Sequence, residues 1–446
     1  MLASSRKRIA VPEVAAALGL FHQEKGHFSE SIEAMYFLFL LYYTTLGGGK
    51  PVGEGGAKRF RWSTRTQWDM GETAWASELA RLRAAGTRLW DLTASNPTAC
   101  GFTYDAASTL GPLSDPEALH YEPNPKGLRP AREAVSRYYH DHGARVDPEQ
   151  IFLTTSTSEA YSFLFRLLCD PGDEVLIGQP GYPLFDFLAT LDDVRLVPYE
   201  LFYDHGWHLD LEALRRCVTS RTRAIAVVHP NNPTGHFTRD KERAEIEGLC
   251  REHGLALIVD EVFLDYGLAG HGAGQSFATG GHGVPTFVLS GLSKVAALPQ
   301  MKAAWIACFA EQEALQRLEV ICDTFLSMSA PIQHALPAWL SQRGASQGQI
   351  RKRLEHNLDT LDAILLQQSL VTRLDIEAGW YAVLRVPGLR TEEETALELL
   401  LERAVVVHPG GFFGFSGQGW LVVSLLAPEA DFAGGVEAIA AHFTAI

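Results

Sequence analysis

The feature that most constrains this chain is an alternation that starts near Thr64 and runs to the C-terminus: short, apolar, β-branched runs separated by segments of helical periodicity. The runs QIFLTT, DEVLIG, RLVPYE, AIAVVHP, LALIVDEVF and TFVLSGLS are bounded by Gly, Pro and Asp. Continuous apolar runs of that kind read as strands buried on both faces of a parallel or mixed sheet. Between them SEAYSFLFRLLC, LEALRRCVT and DKERAEIEGLCREHG read as helices, so the pattern is β-α-β and the fold class is α/β. The theme recurs on a smaller scale near the end. Helical segments are predicted around Glu355 to Gln368 and Glu392 to Arg403, with strands GWYAVLRVP and GWLVVSLL, which predicts a second, smaller α/β domain.

Ahead of this pattern the chain reads differently. The stretch Leu46 to Gly56 is rich in Gly and reads as a flexible linker. Before it, LGLFHQEKGHFSESIEAMYFLFLL has the spacing of a helical hairpin resembling a single tetratricopeptide repeat, which cannot bury its own apolar face. The glycines around Lys50 lack the ending of a phosphate-binding loop. The apolar run Ala34 to Leu46 is shorter than the roughly 20 residues needed to span a bilayer, and the first 26 residues make a poor signal peptide.

At 446 residues, 46% of them hydrophobic, the chain can bury a core spread over two or three domains. Its net charge of −15 argues against nucleic acid or an anionic membrane as the main partner. The six cysteines form no CxxC pair, which argues against zinc or a disulfide framework and suits free thiols in the reducing cytoplasm.

Three segments fall at strand-to-loop ends, where open α/β sheets bind ligands. SGLSK places Lys294 after an apolar strand, where an amine could form an imine with an aldehyde, although a lone lysine also suits a solvated surface. HPNNPTG would turn the Asn232 amide into a cleft, or is an ordinary turn. IVDEVF, Ile258 to Phe263, puts Asp260 at the end of an apolar run, a carboxylate that needs a cation there unless it caps a helix or reaches the surface.

Taken in order, Tyr121…Gly127, Ser156 to Ser158, Tyr182, Asn232, Asp260 and Lys294 resemble the class I/II aminotransferases, the pyridoxal 5′-phosphate (PLP) enzymes of fold type I, from about Thr64 to the C-terminus. The resemblance implies a large PLP-binding domain with a mixed, mostly parallel seven-stranded sheet and a smaller C-terminal α/β domain. The expected divisions are an extension over 1–60, a first segment of the small domain over 61–115, the large domain over 116–330 and the rest of the small domain over 331–446. It implies a homodimer and no metal.

Site roles follow from the same resemblance. Lys294 is the Schiff-base lysine and later the proton shuttle. Asp260 pairs with the pyridine nitrogen and keeps it protonated. Asn232 donates to the ring's phenolic oxygen, and Tyr182 stacks on the ring. Ser156, Thr157 and Ser158 hold the phosphate at a helix start, with Lys302 as a second cation and Tyr121 reaching across to the neighbouring subunit's phosphate.

The sequence departs from the family at four places. Lys302 stands where arginine is usual, losing the two-pronged contact, and Tyr121 is one residue too far from Gly127. Phe263 lacks the hydroxyl a tyrosine would supply, which predicts a raised imine pKa. Val422 fills the slot of the arginine that clamps the substrate carboxylate, leaving Arg385 or Arg129 as candidate cations, with Ser95 and Asn96 on the substrate-side loop. Transamination between an amino acid and a 2-oxo acid is the expected reaction. The alternatives are β-elimination or decarboxylation by another PLP enzyme, and a PLP-binding regulator, which the absence of a basic helix-turn-helix segment disfavours.

Overall fold

The computed structural model describes residues 61–444 except 69, 70, 72, 271–273, 368 and 369. The expected N-terminal hairpin and glycine-rich linker lie outside the described residues.

Fourteen strands form three sheets among the described residues. β1 (Trp90–Asp91) stands apart from the large sheet. That sheet contains β2 (Ile151–Thr154), β3 (Glu174–Gln179), β4 (Arg195–Tyr203), β5 (Trp207–Leu209), β6 (Thr222–Val228), β7 (Ala256–Asp260), β8 (Thr286–Gly291) and β9 (Ala304–Phe309). Its order is β2-β9-β8-β7-β6-β3-β4-β5. All of these strands run one way except β9 and β5, which pair antiparallel with their neighbours. The sheet therefore has eight strands where seven were expected. The additional edge strand β5 is three residues long, too short to leave a periodic signal.

Burial on both faces explains the apolar runs. Along β7, Leu257 and Val259 enter one core cluster while Ile258 enters the other, and along β8, Val288 opposes Phe287 and Leu289 in the same way. Alternate side chains leave opposite faces of a strand, so a strand covered by helices on both sides must be apolar throughout.

The second sheet joins β10 (Thr372–Arg373), β11 (Tyr381–Arg385), β13 (His408–Pro409) and β14 (Trp420–Ser424) in the order β10-β11-β14-β13, all antiparallel. Strand β12 (Val405–Val406) instead pairs in parallel with β1, Trp90 opposite Val405. A single 36-residue helix, Ala330–Leu365, links the two sheets where only its end was expected. Gln347 on this helix donates to the Val295 carbonyl at 2.8 Å, beside the large sheet. Asn357, ten residues on, donates to the Leu425 and Ala427 carbonyls at 2.8 and 2.9 Å, beside the small one.

Candidate active site

The C-terminal ends of the central parallel strands converge on one buried group of side chains. β7 ends on Asp260, and the neighbouring β8 runs into the short helix Leu292–Val295 that carries Lys294. Gly291 makes this junction possible, because a Cβ there would stand 2.8 Å from Ala304 Cβ and 3.1 Å from the Ala303 carbonyl oxygen on the adjacent strand. The backbone at Lys294 is fixed from the opposite side, where the Tyr266 hydroxyl donates to its carbonyl at 2.6 Å.

Electrostatics couple the two groups. Burial pushes the Lys294 amine down to about 8, while the charge of Asp260 pulls it back up. Burial likewise pushes the Asp260 carboxyl up to about 6, against the Val262 N–H, the Tyr161 side chain and Lys294. The Val262 N–H donates to Asp260 Oδ1 at 3.1 Å. Two groups whose ordinary values lie far apart are thus drawn toward the neutral range by a shared loss of water.

Asn232 is buried in the turn after β6, and its Oδ1 has no hydrogen-bond partner within the protein. The turn is held by Asn231, whose Oδ1 accepts from the Thr234 hydroxyl at 2.8 Å, and by Gly235, which has φ +72° and leaves no room for a Cβ beside the Ala378 carbonyl oxygen. Tyr182 follows β3 and meets Phe185 edge-on, with ring centroids 6.2 Å apart. Its hydroxyl is pushed above the usual phenol range by burial and then by the charge of Asp260. Ser156 caps the helix Thr157–Leu168, its hydroxyl accepting from the Glu159 N–H at 3.1 Å. The first-turn N–H groups of Thr157 and Ser158 have no partner within the helix ladder and make an anion-binding end.

The substrate-side loop is held by the small sheet. The Ser424 N–H of β14 donates to the Leu92 carbonyl at 2.7 Å, and its hydroxyl donates to the Ala94 carbonyl at 2.6 Å. This brings buried Ser95 to Tyr381 at the start of β11, where the two side chains hydrogen-bond. Asn96 uses its side chain locally, accepting from the Thr98 N–H and hydroxyl at 3.1 and 2.9 Å.

Other candidate residues stand elsewhere. Arg385 lies over the Trp420 ring at 4.1 Å and donates to the Gln418 carbonyl at 2.7 Å. It shares a strand face with Tyr381 but is four residues on, roughly 13 Å along the strand. Exposed Arg129 pairs with Glu133 and Glu149 at 2.9 and 3.2 Å. Lys302 is exposed, and Tyr121 is 70% exposed and outside this group within one chain. Val422 is fully buried mid-sheet, opposite Val383 and His408. Burial holds that histidine down to about 3, so no cation replaces the missing arginine there.

Sequence reading missed the aromatic side of the site. The Lys294 amine lies 4.7 Å from the centre of the Trp380 ring and 5.6 Å from that of Phe263. GWYAVLRVP was read as a strand, and nothing in its periodicity marks Trp380 as a neighbour of Lys294. Tyr161, inside a helix with the apolar spacing of core, faces Asp260 without meeting strict hydrogen-bond geometry.

A parallel sheet carrying a partly buried lysine and a buried acid at adjacent strand ends, with a capped helix N-terminus and an aromatic wall nearby, defines a fold type I site for PLP. The residues present fit that group. Lys294 offers an amine for the aldehyde and Asp260 a carboxylate for the ring nitrogen, while the N–H groups of the Asn232 amide and of the helix start serve its oxygens. The family described as aminotransferase class I and II matches residues 101–439, and the chain belongs to it. The family is PLP-dependent, and the activity that names it is amino-group transfer.

Particular relatives agree. The chain is 26% identical over 313 residues to S-alkyl-thiohydroximate lyase SUR1 of Arabidopsis thaliana, covering 67% of each protein. It is 28% identical over 266 residues to glutamate-pyruvate aminotransferase AlaA of Escherichia coli K12, covering 58% of this chain and 65% of that relative. The chain thus spans about two thirds of the length of these curated relatives. The alanine aminotransferase structure from Pyrococcus furiosus superposes with a TM-score of 0.78 at 23% identity, over 86% of this chain and all of the other.

Proposed function

We propose that this protein is a transaminase that moves an amino group between an amino acid and a 2-oxo acid, using PLP held by Lys294. Bound PLP supplies an electron-accepting ring that stabilises negative charge at the substrate α-carbon. The observation that carries the reading is the placement of the Lys294 amine and the Asp260 carboxyl at neighbouring strand ends, close enough for each to shift the other's titration. Asp260 holds a proton at the ring nitrogen, and Lys294 moves the proton between the substrate carbon and the cofactor carbon. Tyr182 backs the ring, Asn232 meets its phenolic oxygen, Ser156, Thr157 and Ser158 serve the phosphate, and Lys302, exposed outside the buried group, adds a second positive charge toward it. Ser95 and Tyr381 orient the substrate, with Asn96 and Arg385 more remote from Lys294.

Mixing PLP-loaded protein with single amino acids tests this reading. Transamination converts the visible absorbance to that of the amine form of the cofactor and yields the matching 2-oxo acid. Release of ammonia with pyruvate would instead establish a lyase. That second reading is favoured by the lyase among the relatives and by Val422 in the arginine slot.

The protein works as a homodimer. Tyr121, Leu119, Phe325 and Leu326 are 70%, 89%, 50% and 67% exposed, large apolar side chains that a second copy would cover, and Tyr121 would complete the partner's phosphate site. Light scattering giving a monomer mass would refute this. All six cysteines are free, which suits the cytoplasm. Pairing of β1 with β12 supports assigning 61–115 and 331–446 to one small domain, with 116–330 as the large domain.

A further inference from the structure

The surroundings of the Lys294 amine are aromatic where a mobile lysine would ordinarily be solvated. Trp380 is fully buried, and its ring face lies 4.7 Å from the ammonium nitrogen. Phe263 presents its own ring at 5.6 Å and meets Trp380 edge-on at 5.3 Å, an interplanar angle of 73°. Tyr266 braces Trp380 from another side at 5.1 Å, and the same tyrosine's hydroxyl holds the Lys294 carbonyl. The Trp380 carbonyl accepts from the Leu425 N–H at 2.8 Å, and the Gly379 N–H donates to the Tyr266 carbonyl at 2.9 Å. The ring and the lysine backbone are therefore parts of one braced unit, and their separation is fixed by packing.

We propose that Trp380 is a positioning residue for Lys294, whose ring face receives the ammonium group whenever the amine is not covalently engaged. The inference rests on the reading of Lys294 as the cofactor-binding lysine. A cation over an indole face is attracted by the ring quadrupole, most strongly where water is excluded. Burial opposes the charged amine, and two groups offset it: the Trp380 face and the Asp260 carboxylate. The ring thus sets how much of the amine is protonated and where it waits after the substrate has displaced it.

The test uses Lys294 itself in cofactor-free protein. Labelling with acetic anhydride across pH, with modification at Lys294 read by mass spectrometry, gives the amine's titration midpoint. Trp380→Leu keeps the site apolar but removes the ring face, and should lower the midpoint by about 0.4 to 1.5 units. Trp380→Phe keeps a weaker face and should lower it by a smaller amount, at least about 0.2 unit. Asp260 is unchanged in both variants, so the shift reports the ring. A midpoint that stays put or rises in Trp380→Phe overturns the proposal, and this variant decides alone if Trp380→Leu does not fold. Failure of wild-type protein to bind PLP at Lys294 would sink the cofactor reading, while the cofactor-free titration would still judge the Trp380 contact.

Discussion

The two sides of the site are built from different materials. The ends of β3, β6, β7 and β8 present Tyr182, Asn232, Asp260 and Lys294, polar or titratable groups placed by loops on a rigid parallel sheet. The small sheet presents Trp380, Tyr381, Val422 and a neutral His408, a wall of buried rings and aliphatic side chains. One side supplies charge and protons, whereas the other supplies shape and dryness. The second is what shifts the first, because burial is the leading cause of the displaced values at both Asp260 and Lys294.

The sharpest way to break that contrast is to remove chemistry from the polar side. Lys294→Ala should abolish the amine-dependent absorbance and lower transamination by at least about a thousandfold, measured in single-turnover mixing. Asp260→Asn should cost on the order of a hundredfold in the same assay. An Asp260→Asn enzyme of wild-type rate would mean that the acid does not serve the ring.

Each side also holds a buried acid, outside the reacting group, whose titration burial shifts strongly, which lets them be compared by stability. Burial pushes both Glu261 and Glu392 up to about 7. A carboxyl raised in the folded state is stabilising below its unfolded value, and that contribution is lost as pH rises from about 4.5 toward 7. Glu261, fully buried with Ser276 and Phe277 as donors, should account for on the order of 1 to 3 kcal/mol of this loss. Glu392, which accepts from the Gly411 and Trp420 N–H groups and is 8% exposed, should account for less. Denaturant unfolding of cofactor-free Glu261→Gln and Glu392→Gln from pH 5 to 8 should give flatter profiles than wild type, more so for the first.

The smallest effect belongs to Phe263. Restoring a hydroxyl with Phe263→Tyr should lower the pH midpoint of the PLP-loaded protein's visible absorbance by about half a unit or more. An unchanged midpoint would show that the position does not reach the cofactor.

How much of this was legible follows the same division. Asp260 and Lys294 announce themselves because a charge terminates an apolar run, and a strand end is the one place where that pattern gives a residue both a buried neighbourhood and an open loop. The aromatic side carries no such mark. Trp380 looks like any core residue of a strand, and its nearness to Lys294 is set by tertiary packing across a long stretch of chain. β9, AWIACF, is less legible because Ile306 is its one β-branched residue and its alanines suit a helix as well. The long helix was truncated in the reading because Pro337, Gly344 and Gly348 are breakers that tertiary contacts override.

Strand β1 lies before the large sheet in sequence and β12 far beyond it, yet they are hydrogen-bonded neighbours. During synthesis the polar half of the cleft can therefore assemble on the ribosome well before its aromatic counterpart has emerged. A nascent chain stalled ahead of Trp380 would display a lysine and an acid still open to water, and the desolvation that tunes them would arrive only with the closing stretch of translation.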